Sequence, residues 1–213
     1  MAGLVVEMMA TAKEQEAEMT SDVLETLPDG ARMHGLEFRV KSPESLARKL
    51  YTKFEADSFA DLHETAGRIT DVVRYTTISG SDQVVAAART TVDRLTERGW
   101  TVIEVEQPYV DGNQYKGLHM LARHTSGRVA EFQFQFHTEE SQRIKDDTHV
   151  DYEAARNPRL PDSERAALIE KMTAVWAQVP APAGLAELTE LGGCQVKPKV
   201  YAPPRTNRGR DTQ

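Results

Sequence analysis

Residues 111–138, DGNQYKGLHMLARHTSGRVAEFQFQFHT, decide the fold. Two alternating runs flank Thr125-Ser126-Gly127-Arg128, the pattern of a β-hairpin closed by a short turn. In the second run Phe132, Phe134 and Phe136 point to one face, and Glu131, Gln133, Gln135 and His137 to the other, because strand side chains alternate. A face carrying three Phe must be buried. The opposite face then presents four polar groups roughly 6.6 Å apart, at about 3.3 Å per residue. An antiparallel strand with one wet face explains the alternation by itself. Gln and His are not strong strand formers, however, so a row of them invites a functional reading.

A second polar set follows. Lys145, His149, Tyr152 and Arg156 are spaced by four, three and four, which predicts one helix over 145–156 with these side chains on a single stripe. A polar strand face followed by a cationic, aromatic stripe suits an anionic, ring-bearing ligand, and a nucleotide is the obvious candidate.

Upstream, Phe38 and Val40 against Arg39 and Lys41 form a short strand pattern. Ser42 then reads as an N-cap, with Pro43 at the first helical position and Glu44 in the first turn. Helix N-termini bind anions, Arg39 and Lys41 precede this one, and Ser45 and Lys49 stack one turn apart behind it. An ordinary cap with solvated lysines has the same composition. The β-branched run Gly67–Ile78 predicts a central strand. Asp71 at its mouth reads either as a magnesium ligand or as a partner of Arg74.

Residues 4–28 predict an acidic helix stopped at Leu27-Pro28-Asp29-Gly30, Ser81–Arg98 an amphipathic helix ending at Gly99, and Trp100–Gln107 a further strand. A last helix over 162–178 holds Trp176. The expected fold is α/β (α+β): a mixed, largely antiparallel sheet of about five strands flanked by helices. The expected organisation is a helical segment 1–35 packed on a domain at 36–179, then a Pro-rich linker and mobile tail from 180.

Composition narrows the class. The chain has 213 residues with 28% charged and 39% hydrophobic, in keeping with one globular domain plus appendages. No run approaches the roughly 18 apolar residues of a membrane span, and the early acidic residues do not read as a signal peptide. A single cysteine, Cys194, excludes an internal disulfide and a Cys-based zinc site, and fits a reducing cytoplasm. The net charge of −7 argues against non-specific coating of nucleic acid. Near the end, Lys197, Lys199, Arg205, Arg208 and Arg210 against Asp211 give a local +4 that could touch RNA or simply be solvated.

Four stretches, RVKSPESLARKL, ITDVVRYT, YKGLHM and the strand ending in QFHT, together resemble the synthetase domain of the RelA/SpoT alarmone synthetases over residues 36–156. No His-Asp pair of the family's hydrolase domain appears, so the resemblance is to a small, single-domain or toxin-like member. It implies a nucleotidyltransferase-like sheet, a magnesium cofactor, and transfer of the β,γ-pyrophosphate of ATP to a ribose 3′-hydroxyl. The acceptor would be a purine nucleotide, giving (p)ppGpp or (p)ppApp, or the 3′ end of tRNA. A toxin of this kind implies an antitoxin or immunity protein, and no membrane.

By the same resemblance Arg39, Lys41, Ser45 and Lys49 match the ATP-phosphate set; the cationic side chains Arg74 and Lys145 are read beside them as further phosphate contacts. Asp71 matches the magnesium ligand. Tyr115 matches the ring that stacks on the acceptor base, with His119 in the same motif. Lys116 beside them, Gln135 and His137 of the polar strand face, and His149, Tyr152 and Arg156 of the helical stripe are read on the acceptor side as well. Two positions depart from the pattern. Gln133 stands where the family has a catalytic Glu, and a Gln cannot take a proton or neutralise a metal. Either catalysis is impaired here with ligand binding retained, leaving at the limit an inactive nucleotide-binding homologue, or Glu131, on the same face, acts for it as base and metal ligand. Arg74 stands where a small residue is usual.

Overall fold

The structure, a computed structural model, describes residues 1–59, 61–125, 131–157 and 159–201. Seven strands form one sheet: β1 (Arg32–His34), β2 (Arg74–Ser79), β3 (Trp100–Gln107), β4 (Leu118–His124), β5 (Glu131–Thr138), β6 (Glu190–Leu191) and β7 (Cys194–Pro198). Their order is β1-β2-β5-β4-β3-β7-β6. The pairs β2/β5 and β3/β7 are parallel and the other four antiparallel. This is the mixed, largely antiparallel sheet the alternation predicts, with two more strands.

The hairpin is as read, with Leu118 opposite Phe136 and Arg123 opposite Glu131. Its turn at 126–128 lies outside the described residues. Phe132, Phe134 and Phe136 are at most 2% exposed, and burying each stabilises the fold by about 1.5–3 kcal/mol. They pack with Tyr75 and Trp100 under helices α1 (Ala2–Thr26) and α4 (Val84–Glu97), which contribute Met19, Val23, Val84, Ala88, Val92 and Leu95. Helix α4 ends where expected, since Gly99 takes φ +85 and turns the chain into β3. The helices thus cover one face of the sheet, and the polar row lies on the other.

Four expectations are corrected. Phe38 is not in a strand: Leu36–Phe38 is a 3-10 turn, Phe38 is 67% exposed, and a single bridge, Val40 to Val73, is all that pairs there. The central strand is shorter than Gly67–Ile78, because residues 62–67 form helix α3 (Leu62–Gly67), whose N-cap Asp61 accepts from Glu64 N–H at 2.7 Å. The predicted helix over 145–156 is two, α5 (Glu139–Asp147) and α6 (His149–Ala155). At the break, the Thr148 hydroxyl donates to the Ile144 carbonyl at 2.7 Å.

The fourth correction is the largest. The stretch read as linker and mobile tail folds back on the sheet: β6 and β7 form a hairpin, β7 extends the sheet beside β3, and Leu185, Leu188 and Leu191 enter the main core. Apolar residues outweigh the prolines once a sheet edge is available. Arg205, Arg208, Arg210 and Asp211 lie outside the described residues. Helix α2 (Pro43–Ala56) and α7 (Asp162–Ala177) complete the fold, and no helix among the described residues is long and apolar enough to cross a membrane.

Candidate active site

The polar face is assembled from neighbouring strands. Gln133 pairs in register with Arg74 and Leu121, and Gln135 with Thr76 and His119. Gln135 is the hub. Its carbonyl oxygen accepts from Lys145 Nζ at 2.7 Å and from the Thr76 hydroxyl at 3.4 Å, while its amide donates to Gln133 Oε1 at 2.8 Å. Lys145, in the last turn of α5, thus reaches over the sheet. His149 and Tyr152 remain exposed, with Arg156 over the Tyr152 ring at 5.2 Å.

A cationic group closes one end of this face. Ser42 caps α2 by accepting from Ser45 N–H at 3.2 Å, Pro43 fills the first helical position, and Lys41 and Lys49 converge on Asp71 at 3.3 and 2.7 Å. Asp71 thus pairs with these lysines, and Arg74 has no ion-pair partner among the described residues. Burial by itself would raise the Asp71 pKa, but Lys49 and Lys41 outweigh it and hold the carboxyl below its ordinary value. Burial lowers Lys41, with Arg74 and Lys49 adding to the effect against Asp71. Burial also pushes Lys145 down to about 8, again with Arg74 nearby. Arg74 acts on both Lys41 and Lys145, and Lys49 on Lys41, so the four cations outnumber the two carboxylates that act on them, Asp71 and Asp146. Such a group favours a polyanion.

At the other end stands a hydrogen-bonded chain. The Tyr115 hydroxyl lies 2.8 Å from both His119 Nε2 and His137 Nε2, and His137 Nδ1 lies 2.9 Å from Ser141 Oγ. Ser141 and Thr138 form a capping box at the start of α5, in which Ser141 Oγ accepts from Thr138 N–H and donates to the Thr138 carbonyl. That assigns the protons: His137 Nδ1–H donates to Ser141, Tyr115 donates to His137 Nε2, and His119 Nε2–H donates to Tyr115. Burial, with Lys145 and Lys199 adding, lowers His119 to about 3, and burial takes His137 well below its ordinary value, so both rings are neutral at neutral pH. Gly117 makes the close approach possible, since a Cβ there would lie 2.7 Å from His137 Cε1 and 2.8 Å from the Tyr115 hydroxyl.

Carboxylates for a metal are few. Glu131 pairs with Arg123 at 2.7 Å, while its Oε1 is buried with no hydrogen-bond partner. Asp71 and that orphaned oxygen are chemically suited to magnesium. Among the described residues no cluster of three or more Asp, Glu, His or Cys could hold a metal ion, so a magnesium ion here would complete its shell with phosphates and water.

Two expected site residues are drawn elsewhere. The Arg39 guanidinium is held by Glu16 of α1 and donates to the Leu36 carbonyl at 2.9 Å. Lys116 is 6% exposed and donates to the Val179 carbonyl at 3.0 Å, which ties the YKGLH loop to the end of α7. Sequence reasoning missed Thr76, Asn113, Ser141 and Tyr201. Ser141, three residues after Thr138 at a strand-to-helix junction, was legible as a capping box; for Tyr201 nothing in the sequence pointed to the site.

No family model matches the sequence, and no curated protein matches it significantly. Solved structures do resemble it. The complex of the type VI effector Tas1 with its immunity protein matches at 22% identity, covering 82% of this chain and 92% of that one, with a TM-score of 0.41. A GTP pyrophosphokinase family protein from Streptococcus pneumoniae matches at 14% identity over 82% of each chain, with a TM-score of 0.45. Small alarmone synthetase 2 from Bacillus subtilis matches at 17% identity over 81% of this chain and 88% of that one, with a TM-score of 0.44.

Proposed function

We propose that this chain is an ATP-dependent pyrophosphotransferase that moves the β,γ-diphosphate of ATP to the 3′-hydroxyl of a purine nucleotide and releases AMP, with transfer slowed by Gln133. The observation that carries this reading is the grouping of Lys41, Lys49 and Arg74 at one end of the polar sheet face, with Lys145 over Gln135 at its middle. Phosphoryl-type transfer needs little covalent help and depends on positioning and charge neutralisation. The four cations bind the triphosphate, and Asp71, released in part from its lysines, would hold magnesium, which would supply further charge neutralisation to the phosphates.

The acceptor belongs at the other end, beside Tyr115, His119 and His137, with Gln135 between the two. Gln133 stands where a base would take the 3′-hydroxyl proton. Its Oε1 already accepts from Gln135, and an amide has no proton affinity to offer. Glu131 is the carboxylate two residues earlier on that strand face, and Arg123 holds it.

Incubation with γ-labelled ATP, magnesium and GDP, GTP, AMP, ADP or tRNA tests this. Slow label transfer to one purine nucleotide is expected, and Gln133→Glu should raise it by about 10²-fold or more. Label on tRNA would move the acceptor to the tRNA 3′ end. The Gln133–Gln135 bond also favours a second reading, a nucleotide-binding protein without turnover. That reading stands if magnesium-ATP raises the melting temperature while neither the native chain nor Gln133→Glu transfers label. Absence of both binding and transfer sinks both.

A further inference from the structure

Asn113, 1% exposed, has both ends of its amide engaged with backbone. Nδ2 donates to the Pro108 carbonyl at 2.9 Å and to the Lys199 carbonyl at 2.7 Å, and Oδ1 accepts from Tyr201 N–H at 3.0 Å. The same strap is tied twice more: Lys199 N–H donates to the Gln107 carbonyl at 3.0 Å, and Lys199 Nζ pairs with Glu106 at 2.7 Å. One buried side chain thus fixes the segment that follows β7 against the loop that carries Tyr115. What this positions is a ring. Tyr201 stands edge-on to Tyr115, with centroids 6.2 Å apart and planes at 81°.

The rest of the Tyr115 surroundings belong to the body of the fold. Its hydroxyl is held by His119 and His137, and Trp176 of α7 lies at 5.2 Å. Tyr201 is the ring contributed from outside, and it is partly exposed, as is Tyr115, while Tyr152 is exposed. Tyr152 lies near enough to influence Tyr201, and it carries Arg156 on its own ring. Partly exposed tyrosines beside a guanidinium make a surface for a planar heteroaromatic ring.

Resting on the reading of Tyr115 as the acceptor side, we propose that Tyr201 forms a second aromatic wall of the acceptor-base subsite, with Asn113 as its positioning residue. A removable plug would need weak attachment. This strap is continuous with a sheet strand and held by the four tethers above, which suits a wall.

The test uses the full chain with Tyr201→Ala and Tyr201→Phe. GDP and AMP serve as acceptor probes and a non-hydrolysable ATP analogue with magnesium as donor, all followed by calorimetry. A base stacked on Tyr115 meets the Tyr201 ring edge-on, at 81°. Tyr201→Ala should therefore weaken the acceptor probe that binds by about 3- to 10-fold, the worth of an edge-to-face aromatic contact. Tyr201→Phe should keep native affinity, and the ATP analogue should bind all three proteins alike. Unchanged or tighter acceptor binding by Tyr201→Ala overturns the proposal, as does equal loss of both ligands. A native chain that binds the ATP analogue but neither acceptor probe also overturns it and leaves the donor site standing. A native chain that binds none of them removes the functional reading as well.

Discussion

Lys145 joins the polar face to the cationic group, and its proton is the one most open to test. An unfolded lysine titrates near 10.4, whereas burial and Arg74 push Lys145 down to about 8. Between those values the unfolded chain holds a proton that the folded chain lacks, so this group makes stability rise with pH across that window. A bound triphosphate needs the charged form. Affinity for the ATP analogue should therefore fall as pH rises through about 8, and Lys145→Met should weaken binding by about 10-fold at pH 7 and flatten that dependence. His119 acts on the acid side: its pKa of about 3 makes it lose stabilising effect as pH falls from its ordinary 6.5. At Gly117, substitution by Ala places a Cβ against His137 and Tyr115. Denaturant titration should show a loss of about 1–3 kcal/mol, together with weaker acceptor binding.

Among the elements, the junction of β5 and α5 carries the most. Thr138 and Ser141 cap each other, and Ser141 also orients His137. Ser141→Ala should cost about 1–2 kcal/mol by thermal melts, the value of a lost cap and a buried hydrogen bond. The hairpin, α2 with its Ser42-Pro43 start, and α4 were legible in the sequence because each has a complete local signal of period, cap and stop. The predicted single helix over 145–156 was not, because its spacing fits one unbroken stripe and the Thr148 back-bond that divides it is a choice made in three dimensions. Arg39 shows the same limit: spacing placed it with Lys41, and Glu16, far away in sequence, took it. Lys41, Lys49 and Asp71 were legible as a set of residue types. Their convergence depended on the single bridge between Val40 and Val73.

For the whole molecule, the decisive fact is that residues 190–191 and 194–198 belong to the sheet, with Leu185, Leu188 and Leu191 in its core. A chain ending after Val179 would keep every motif quoted from the sequence yet lose Leu185, Leu188 and Leu191 from the core. At about 1.5–3 kcal/mol each, that loss rivals the total stability of an ordinary domain. The shortened chain should lack a cooperative urea transition by circular dichroism. Native-like unfolding would show that β6 and β7 are an ornament. Prolines hid this part from sequence reasoning, since a five-residue strand completed by a parallel partner some 90 positions earlier leaves no local periodicity.

The parallel pairing of β3 with β7 also has an order in time. During synthesis β3 leaves the ribosome long before its neighbour is made, so one row of its amide and carbonyl groups faces water until residue 198 has emerged. Nascent chains, and any product cut short between β5 and β7, offer that bare border to one another. Expression yield of this protein should therefore depend on how promptly translation carries on from β5 to residue 198.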